Sequence, residues 1–399
     1  MADERVEVIV LGGGIAGCAL AYHLGARSVG PTLLYDPRTI SAGATGRAAG
    51  IVTEQLWNEW DVAVTRDARA EYAELAARWD PSAFSVNGFI RWTAREDAAP
   101  VLAGVQSRLR SWGVNARPID RSEIEARVPW VQLSDLQGAM WSPDDAVVTP
   151  STITEIYAES ARKRGTEVEM GTPFHGLARD ADCWVLTIGN RTIRAPRVVV
   201  AAGAWSKRLF AAFGCPQPLA PYRTQAATLR PEPGGPENFP SVHDLDSDVY
   251  VRPESNGRIL AGDGTELVEV DPDRTPSGGD DRFIGHLAES FESRFPGWAS
   301  AELVRAWSGV CTSTPDRRPL VGPVPDAPGL FAMVGFNGFG VMRAGGVARR
   351  LAALLAVGEG SMSEQEALGP VLPSRFPPGT PASVPQPGFT LEGGDAPRF

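Results

Sequence analysis

The stretch VEVIVLGGGIAGCALAYHLGAR, residues 6–27, decides the fold. Its first six residues are mostly apolar with a β-branched bias, which predicts a buried strand. A glycine-rich turn follows, and residues 18–27 carry apolar side chains at helical spacing, which predicts a helix. A second apolar run, residues 32–35, ends at Asp36. Together these elements predict the strand, helix and strand unit of a nucleotide-binding fold.

Gly12, Gly14 and Gly17 form the pattern GxGxxG between this strand and this helix. The first glycine permits the tight turn, the second lets the backbone approach a pyrophosphate, and the third lets the helix lie close to the strand. Asp36 stands where a carboxylate would accept hydrogen bonds from the adenosine ribose. The pattern predicts a dinucleotide site but does not separate NAD from FAD. A tight turn without a ligand is the alternative.

Length and composition exclude several classes of protein. A chain of 399 residues exceeds one ordinary hydrophobic core, so two domains are expected. The net charge of -10 argues against a nucleic-acid partner. No run approaches the roughly 18 apolar residues of a membrane span, and acids stand where a signal peptide has bases, so a cytoplasmic protein is expected. The four cysteines and four histidines show no disulfide or metal-ligand spacing.

Helical and strand patterns mix along the rest of the chain. Short strand candidates separated by Pro, Gly and Asn turns predict an antiparallel sheet in residues 216–315, whereas residues 377–399 are rich in Pro and Gly and are expected to be disordered. The fold class expected is α/β plus α+β. Periodicity predicts helices over 67–79, 98–112 and 150–165, and strands over 89–93, 184–188 and 198–202.

Four further segments carry a resemblance to a known family: SAGATGRAAGIV (41–52), VVVAAGAWS (198–206), WSGVCTSTPDRRPLVGP (307–323) and GFNGFGVMRAGG (335–346). In this order they resemble the flavin segments of the D-amino-acid oxidase and glycine/sarcosine oxidase superfamily. The resemblance covers most of residues 6–376 and implies FAD as the cofactor. A second GxGxxG and a redox dithiol are both missing from the sequence, so the pattern of an NADPH-fed flavin reductase is missing too.

The resemblance implies a Rossmann-like FAD-binding domain into which an antiparallel β-sheet substrate domain is inserted. The FAD-binding domain is expected to be discontinuous, over residues 1–85, 145–215 and 310–376. The substrate domain is expected over residues 86–144 and 216–309, with the substrate at the junction of the two.

The resemblance also implies which residues contact FAD, because small residues let backbone amides reach the phosphates and the ring. Arg47 would neutralise a phosphate or face the substrate, and the backbone of Phe174 would contact the adenine, with a core aromatic as the alternative. FAD is expected to be non-covalent, since Gly309 stands where monomeric sarcosine oxidases attach it to a cysteine. The expected cofactor-binding residues are Gly12, Gly14, Ile15, Ala16, Gly17, Asp36, Pro37, Arg38, Ala44, Thr45, Gly46, Arg47, Ala48, Ala49, Gly50, Ile51, Phe174, Ala202, Gly203, Trp205, Gly309, Asn337, Gly338, Phe339, Gly340, Val341 and Met342.

In this family a substrate carbon next to nitrogen gives a hydride to flavin N5, and the resulting imine hydrolyses in water. The candidates for holding the substrate are Tyr250, Arg252, Arg223 and Trp307, because an arginine offers a fork to a carboxylate and a tyrosine adds a donor. Alternatively, the two arginines pair with surface acids and Tyr250 is a buried strand aromatic.

Three further positions depart from the family's pattern. Cys311 stands where glycine oxidase relatives carry the arginine for the substrate carboxylate, and Met342 stands where sarcosine oxidases carry a lysine. Either another arginine anchors the substrate, or the substrate is not a simple α-amino acid. Leu260 stands where sarcosine oxidases place the lysine that activates oxygen, which leaves the electron acceptor open. Cys311 is expected to pack rather than react.

The function expected is FAD-dependent oxidation of a C–N bond in an amino acid or secondary amine, with O2 reduced to H2O2. A dehydrogenase that passes electrons to a quinone or a protein partner is the alternative. A flavin-binding subunit without its own substrate pocket and an NAD-dependent dehydrogenase are the rivals from other classes. The sequence does not predict the oligomeric state.

Overall fold

The computed structural model describes residues 4–232, 238–263, 268–358 and 362–384. The strands are β1 (Glu4–Arg5), β2 (Val8–Leu11), β3 (Thr32–Asp36), β4 (Ile51–Val52), β5 (Phe84–Val86), β6 (Phe89–Thr93), β7 (Arg117–Pro118), β8 (Gly138–Ser142), β9 (Ala146–Val148), β10 (Glu167–Met170), β11 (Phe174–Asp180), β12 (Cys183–Ile188), β13 (Arg191–Ala195), β14 (Arg197–Val200), β15 (Ala220–Arg230), β16 (Ser241–Asp244), β17 (Val249–Pro253), β18 (Ile259–Asp263), β19 (Glu302–Ser313), β20 (Leu320–Pro323) and β21 (Leu330–Val334). The α-helices are α1 (Ile15–Ala26), α2 (Glu59–Trp79), α3 (Ala99–Ser111), α4 (Arg121–Arg127), α5 (Pro150–Arg162), α6 (Ser206–Ala212), α7 (Asp281–Arg294), α8 (Gly340–Val357) and α9 (Met362–Ala367).

The first large sheet has six strands in the order β10-β3-β2-β14-β21-β20. All its neighbours are parallel except the pair of β20 and β21. Side chains alternate between the two faces of a strand. Val8 and Val10 therefore pack against helices α1, α5 and α8, whereas Ile9 and Leu11 pack against a four-stranded sheet in the order β1-β13-β12-β11. Both faces are covered, which explains why these strands read as continuous apolar runs.

An eight-stranded sheet in the order β19-β15-β18-β17-β16-β6-β8-β7 forms the second large sheet. One face packs against side chains of α4 and α7, among them Ile124, Phe283 and Leu287. The antiparallel sheet predicted for residues 216–315 is confirmed for β15 to β19. Strand β6, from outside this range, pairs with β16 in parallel. These two strands come from parts of the chain some 150 residues apart, so no hairpin dictates their direction. A small sheet in the order β4-β9-β5 completes the structure.

The expected fold class is confirmed. Some helices begin or end at other residues than the sequence pattern predicts. The helix expected to begin at residue 67 begins at Glu59, because the Asn58 side chain accepts a hydrogen bond from the Asp61 amide (2.9 Å). Residues 377–384 form neither helix nor strand, and the rest of the expected disordered tail, residues 385–399, lies outside the described residues. Within the described ranges, none of the helices combines the length and the apolar character that a membrane crossing requires. The division into two domains stays a prediction, which the two large sheets support.

Candidate active site

A cavity of about 360 Å³ lies between the carboxyl ends of the parallel strands and the inner face of the eight-stranded sheet. This is the place where open α/β sheets bind ligands. Most of the expected site residues line it. They are Gly12, Gly14, Ile15, Ala16, Asp36, Arg38, Ala44, Thr45, Arg47, Ala48, Ala49, Gly50, Ile51, Ala202, Gly203, Trp205, Tyr250, Trp307, Gly309, Asn337, Gly338, Phe339, Gly340, Val341 and Met342.

The glycine turn has the backbone geometry that its sequence predicts. Gly12 has φ +126°, a value that side chains of L-residues rarely adopt, and its amide donates to the Tyr35 carbonyl (2.8 Å). A Cβ on Gly17 would collide with the Gly12 carbonyl oxygen, so Gly17 serves the close contact between helix and turn rather than the cavity wall. Helix α1 therefore begins directly at the cavity, and its first turn contains no acidic residue.

The Asp36 carboxylate is held in a fixed orientation at the end of β3. One oxygen accepts from the Gly13 amide (2.8 Å) and the other from the Arg38 amide (2.9 Å). The Arg38 guanidinium lies over the Trp205 ring, 3.8 Å from its centroid. A carboxylate positioned in this way can accept hydrogen bonds from a ribose at the edge of the cavity.

The segment SAGATGRAAGIV crosses from the helix to the sheet. The Thr45 hydroxyl oxygen accepts from the Ile15 amide (3.1 Å), and the Arg47 guanidinium donates to the carbonyls of Ala42 and Gly43. Trp307 Nε1 in turn donates to the Arg47 carbonyl (3.0 Å). Arg47 thus stabilises the shape of its own segment, and Trp307 fixes that segment to β19.

The third contribution comes from the turn before α8. Asn337 and Gly338 have φ +52° and +80°, and the first turn of α8, which begins at Gly340, contains no acidic residue. The Asn337 amide donates to the Thr312 carbonyl (2.9 Å), which joins this turn to β19. The amino ends of two long helices, α1 and α8, therefore open onto one cavity, and both attract negative charge.

This arrangement fits FAD. The α1 amino end and Asp36 suit a pyrophosphate and a ribose. The α8 amino end opens onto the same cavity, where its dipole would stabilise negative charge on a reduced flavin. A Cβ on Gly338 would stand 3.4 Å from the Tyr222 hydroxyl oxygen, and one on Gly309 would stand 3.3 Å from the Arg47 Cβ, so larger residues would narrow the space for a flat ring.

Four expected cofactor residues lie outside the cavity wall: Gly17, Pro37, Gly46 and Phe174. A Cβ on Gly46 would collide with the Ser41 carbonyl oxygen, so this glycine permits the turn of the segment. Phe174 packs on Tyr35, with ring centroids 6.4 Å apart, against the core between the six-stranded sheet and the four-stranded sheet. The position of the Phe174 ring agrees with the alternative interpretation, a core aromatic.

One wall of the cavity is formed by a row of residues that cross the eight-stranded sheet in register. Arg91 pairs with His243, His243 with Tyr250, Tyr250 with Gly262, Gly262 with Ala226, and Ala226 with Trp307. A Cβ on Gly262 would collide with the Tyr250 ring, so the missing side chain makes room for this ring across the sheet. Burial raises the pKa of Tyr250, which therefore remains a neutral phenol able to donate a hydrogen bond.

Arg223 and Arg252, both expected to hold the substrate, do not line the cavity. Arg223 donates to Asp280 (2.9 Å) and to the Gln225 side chain (2.9 Å). Arg252 donates to the carbonyls of Ala49 and Pro253 and lies 3.8 Å from Glu254. Arg252 thus binds the segment of residues 41–52 through the Ala49 carbonyl, whereas Arg223 pairs with an acid, as in the alternative interpretation.

Sequence reasoning missed Arg91, His243, Asp248 and Asp263, which all line the cavity. The signal for Arg91 was present, because it is a charged residue inside the apolar strand FIRWT and is only 4% exposed. Burial lowers the pKa of Arg91 to about 10, so it stays protonated near neutral pH. Burial also raises the pKa of the Cys311 thiol, which agrees with a packing role rather than a reactive thiolate.

Comparisons with known proteins give a consistent result. The family model DAO, described as FAD dependent oxidoreductase, matches residues 7–354. Human mitochondrial dimethylglycine dehydrogenase is 25% identical over 382 residues, which cover 89% of this chain and 43% of that protein. The 4-methylaminobutanoate oxidase (formaldehyde-forming) of Paenarthrobacter nicotinovorans is 27% identical over 87% of this chain and 43% of its own length. The chain thus spans about two fifths of the length of these relatives.

Solved structures share the fold. L-proline dehydrogenase from P. horikoshii superposes with a TM-score of 0.85 at 23% identity, covering 94% of this chain and 98% of that chain. Glycine oxidase from Geobacillus kaustophilus superposes with a TM-score of 0.82 at 24% identity, covering 94% of this chain and all of that chain. At such identities the likeness establishes the fold of this chain, with its mixed α/β sheets.

Proposed function

Since the chain belongs to the DAO family of FAD-dependent oxidoreductases, we propose that it oxidises a C–N bond of an amino acid or N-substituted amino acid. The product is an imine, which water hydrolyses to a carbonyl compound and an amine. We propose O2 as the electron acceptor, with H2O2 as the second product. The observation that carries this proposal is that two helix amino ends and the polar row of the eight-stranded sheet line the same cavity.

The relatives support the choice of bond. They include proteins named dimethylglycine dehydrogenase, 4-methylaminobutanoate oxidase and glycine oxidase, the last 26% identical and covered over 90% of its length. All of these names denote oxidases or dehydrogenases of amino acids or N-methyl amino acids. A flavin-binding subunit without a substrate pocket is less well supported, because the cavity continues past the cofactor segments to Tyr250 and Arg91.

FAD, when bound without a covalent link, would supply the two-electron acceptor for the hydride that leaves the substrate carbon. The residues of the chain would supply orientation and a dry environment. Burial disfavours the charged form of an amine, so a substrate nitrogen in this cavity is held in the neutral state that hydride loss requires. The Tyr250 phenol would donate a hydrogen bond to the substrate, and Gly262 would keep its ring in place. We propose the cavity-lining members of the expected set as the cofactor site.

A dehydrogenase is the second candidate, because several of the relatives carry that name. It differs from the first candidate only in the acceptor, a quinone or a protein instead of O2. Leu260 is buried on β18 and brings no charge to the cavity that could favour oxygen activation.

The visible spectrum of the purified protein tests the proposal. We expect flavin absorption that is bleached anaerobically by at least one member of a panel of amino acids and N-methyl amino acids. Admission of air should restore the absorption and release H2O2 in proportion. Restoration only by a quinone or dye would replace the oxidase by the dehydrogenase. A protein that cannot be loaded with FAD, or whose flavin no amine bleaches, would contradict the proposed reaction.

A further inference from the structure

His243 stands on β16, between Arg91 and Tyr250 in the row of residues that crosses the eight-stranded sheet. All four histidines of the chain lie among the described residues, and His243 alone of them lines the cavity. Its Nε2 lies 2.9 Å from Oδ1 of Asp248, in the turn between β16 and β17. Building on the proposed function, we propose that His243 is a catalytic residue that accepts a proton from the substrate amine, and that Asp248 is the residue that positions its imidazole.

The proposed reaction needs a group that takes up a proton. A secondary amine resembles the lysine side chain, whose pKa is about 10.4, so near neutral pH it reaches the cavity mainly as an ammonium cation. An ammonium nitrogen has no lone pair, and the C=N bond of the imine can form only from a lone pair. Burial favours the loss of this proton, but the proton still requires an acceptor on the cavity wall. Imidazole is the side chain that exchanges protons most readily near neutral pH.

The contact with Asp248 fixes the orientation of the imidazole and its tautomer. A carboxylate oxygen only accepts a hydrogen bond, so Nε2 carries the hydrogen, and the lone pair of the neutral ring is on Nδ1. The His243 side chain is 9% exposed, and it belongs to the cavity wall. When Nδ1 takes up a proton, the carboxylate stabilises the positive charge of the ring, as in other pairs of histidine and aspartate.

Asp248 has an uncommon backbone conformation at this contact. Its φ is +57°, in the left-handed region that glycine adopts without steric cost. Residues in such conformations persist where the surrounding structure holds them, and they concentrate at functional sites. The turn therefore presents a carboxylate to His243 at a position where glycine would relieve the backbone, and the proposed role gives a reason for the carboxylate.

Charged and titratable groups on the neighbouring strands face the same part of the wall. Arg91 on β6 and Tyr250 on β17 pair with His243 in register, and Asp263 ends β18. Asp248 acts electrostatically on both Arg91 and Tyr250, and Asp263 acts on Tyr250. The Arg91 guanidinium opposes a second positive charge on the wall, whereas the Asp248 carboxylate, in direct contact with the imidazole, favours it. The charged groups that line the cofactor side of the cavity are Asp36, Arg38 and Arg47.

The proposed step transfers one proton. An N–H bond of the substrate ammonium breaks, a bond between the proton and His243 Nδ1 forms, and the nitrogen keeps the electron pair. This pair forms the C=N bond when the hydride leaves the neighbouring carbon for the acceptor given in the proposed function. The imidazolium returns its proton to water after the product has left. Tyr250, which donates a hydrogen bond, and His243, which accepts a proton, then have complementary roles on adjacent strands.

The pH dependence of flavin bleaching tests the role of His243. The FAD-loaded protein is mixed anaerobically with saturating glycine, sarcosine, dimethylglycine or 4-(methylamino)butanoate, and the amine that bleaches fastest is followed from acid to alkaline pH. For wild type we expect a rate that falls at acid pH, where a protonated imidazole accepts no proton, and that is constant above. His243→Gln should be at least about a hundredfold slower near neutral pH, the usual contribution of a general base. Its rate should rise about tenfold per pH unit, because only amine that has lost its proton to water reacts. A pH profile of wild-type shape in His243→Gln would overturn the proposal.

His286→Gln is the matched control. His286 lies on α7, outside the cavity wall, and its Nε2 lies 2.9 Å from the Ser247 carbonyl oxygen. This variant therefore removes an imidazole that contacts the same turn as His243 does. Its bleaching rate and pH profile should be those of wild type. An equal change in His243→Gln and His286→Gln would show that both histidines only hold the turn, and the catalytic role would be wrong.

Two substitutions at Asp248 separate positioning from stability. Asp248→Asn removes the charge, and Asp248→Gly also relieves the backbone at φ +57°. We expect both to slow bleaching near neutral pH by at least about tenfold. Asp248→Gly should nevertheless keep a melting temperature within a few degrees of wild type, because the relieved backbone offsets the lost hydrogen bond. A large drop in melting temperature with an unchanged bleaching rate would assign the pair to stability alone and overturn the proposal.

The outcomes separate this inference from the proposed function. If no amine of the panel bleaches the flavin, the proposed reaction is wrong, and the role of His243 falls with it. If an amine bleaches the flavin and His243→Gln keeps the wild-type profile, C–N oxidation stands and only the role of His243 falls. Should His243→Gln not fold, Asp248→Asn leaves the imidazole in place and decides, since an unchanged rate and pH profile in that variant would overturn the proposal.

Discussion

The two walls of the cavity are built from different kinds of chemical group, backbone in one and side chains in the other. The wall that we propose for FAD, the cofactor wall, is made mainly of backbone, with glycine turns and the amino ends of α1 and α8. The wall that we propose for the substrate, the substrate wall, is made of side chains that project from one face of the eight-stranded sheet. A backbone site depends on a short contiguous stretch, whereas a side-chain site depends on strands from distant parts of the chain. Substitutions in the first wall should act on FAD binding, and those in the second on the amine.

The largest effect is expected at Gly12. Gly12→Ala places a Cβ on a residue with φ +126° and against the Ala201 carbonyl. We expect at least a tenfold lower flavin content, or loss of the fold, as measured by the ratio of flavin to protein absorbance and by the melting temperature. Gly104→Ala is the matched control, because a Cβ there meets nothing within 4 Å inside helix α3. It should keep FAD and gain about 0.5–1 kcal/mol of stability. Normal flavin content in Gly12→Ala would contradict the backbone account of this wall.

The next effect is expected at Tyr250, on the other wall. Tyr250→Phe removes a hydroxyl from the polar row and should lower kcat/KM for the amine about tenfold, with flavin content unchanged. Tyr157→Phe is the control, because its hydroxyl donates to Glu71 in the helix layer and does not line the cavity. The control should lower the melting temperature and spare kcat/KM. Loss of FAD in Tyr250→Phe would contradict the assignment of FAD binding to one wall and amine binding to the other.

The difference between the walls also explains what the sequence could predict. Gly12 and Asp36 lie 24 positions apart in one strand, helix and strand unit, so their roles follow from local spacing. Arg91 and Tyr250 belong to one row only because β6 and β17 both flank β16, and this register joins residues about 160 positions apart. Arg223 and Arg252 both carry the right chemistry, but strand pairing and partners decide that neither lines the cavity. The sequence gives the type of each side chain, whereas the direction in which a side chain projects depends on strand pairing.

A smaller effect, visible only as a function of pH, is expected at Asp145, whose carboxylate accepts hydrogen bonds from the Thr53 hydroxyl (2.6 Å) and the Glu54 amide (2.9 Å). Its folded-state pKa of about 7 is above the usual range of an aspartate, so the folded protein holds a proton that the unfolded chain releases. The associated stability is present at low pH and is lost as the pH rises toward 7. Asp145→Asn lacks this titration. Its melting temperature relative to wild type should therefore rise by a few degrees between pH 5 and pH 8.

Asp97→Asn is the control for this pH series, because Asp97 is exposed and the hydrogen bonds that it accepts from Arg95 lower its pKa. Its melting temperature relative to wild type should stay constant over the same pH range. A constant difference for Asp145→Asn as well would show that Asp145 is ionised throughout this pH range in the folded protein.

The smallest effect is expected where the two walls meet at the surface. Arg208 of α6 pairs with Asp271 and Asp273, and Trp205 Nε1 donates to Asp273 (2.7 Å), so a segment after β18 is joined to the cofactor wall. The Arg208 side chain is 51% exposed, and exposed ion pairs contribute little. Arg208→Ala should therefore change the free energy of unfolding by less than about 1 kcal/mol, and less again at high salt. Arg230→Ala, which breaks an exposed pair within the eight-stranded sheet, should have a similar effect. A larger loss for Arg208→Ala that also slows amine oxidation would mean that this contact sets the distance between the walls, and that backbone and side-chain sites are coupled rather than independent.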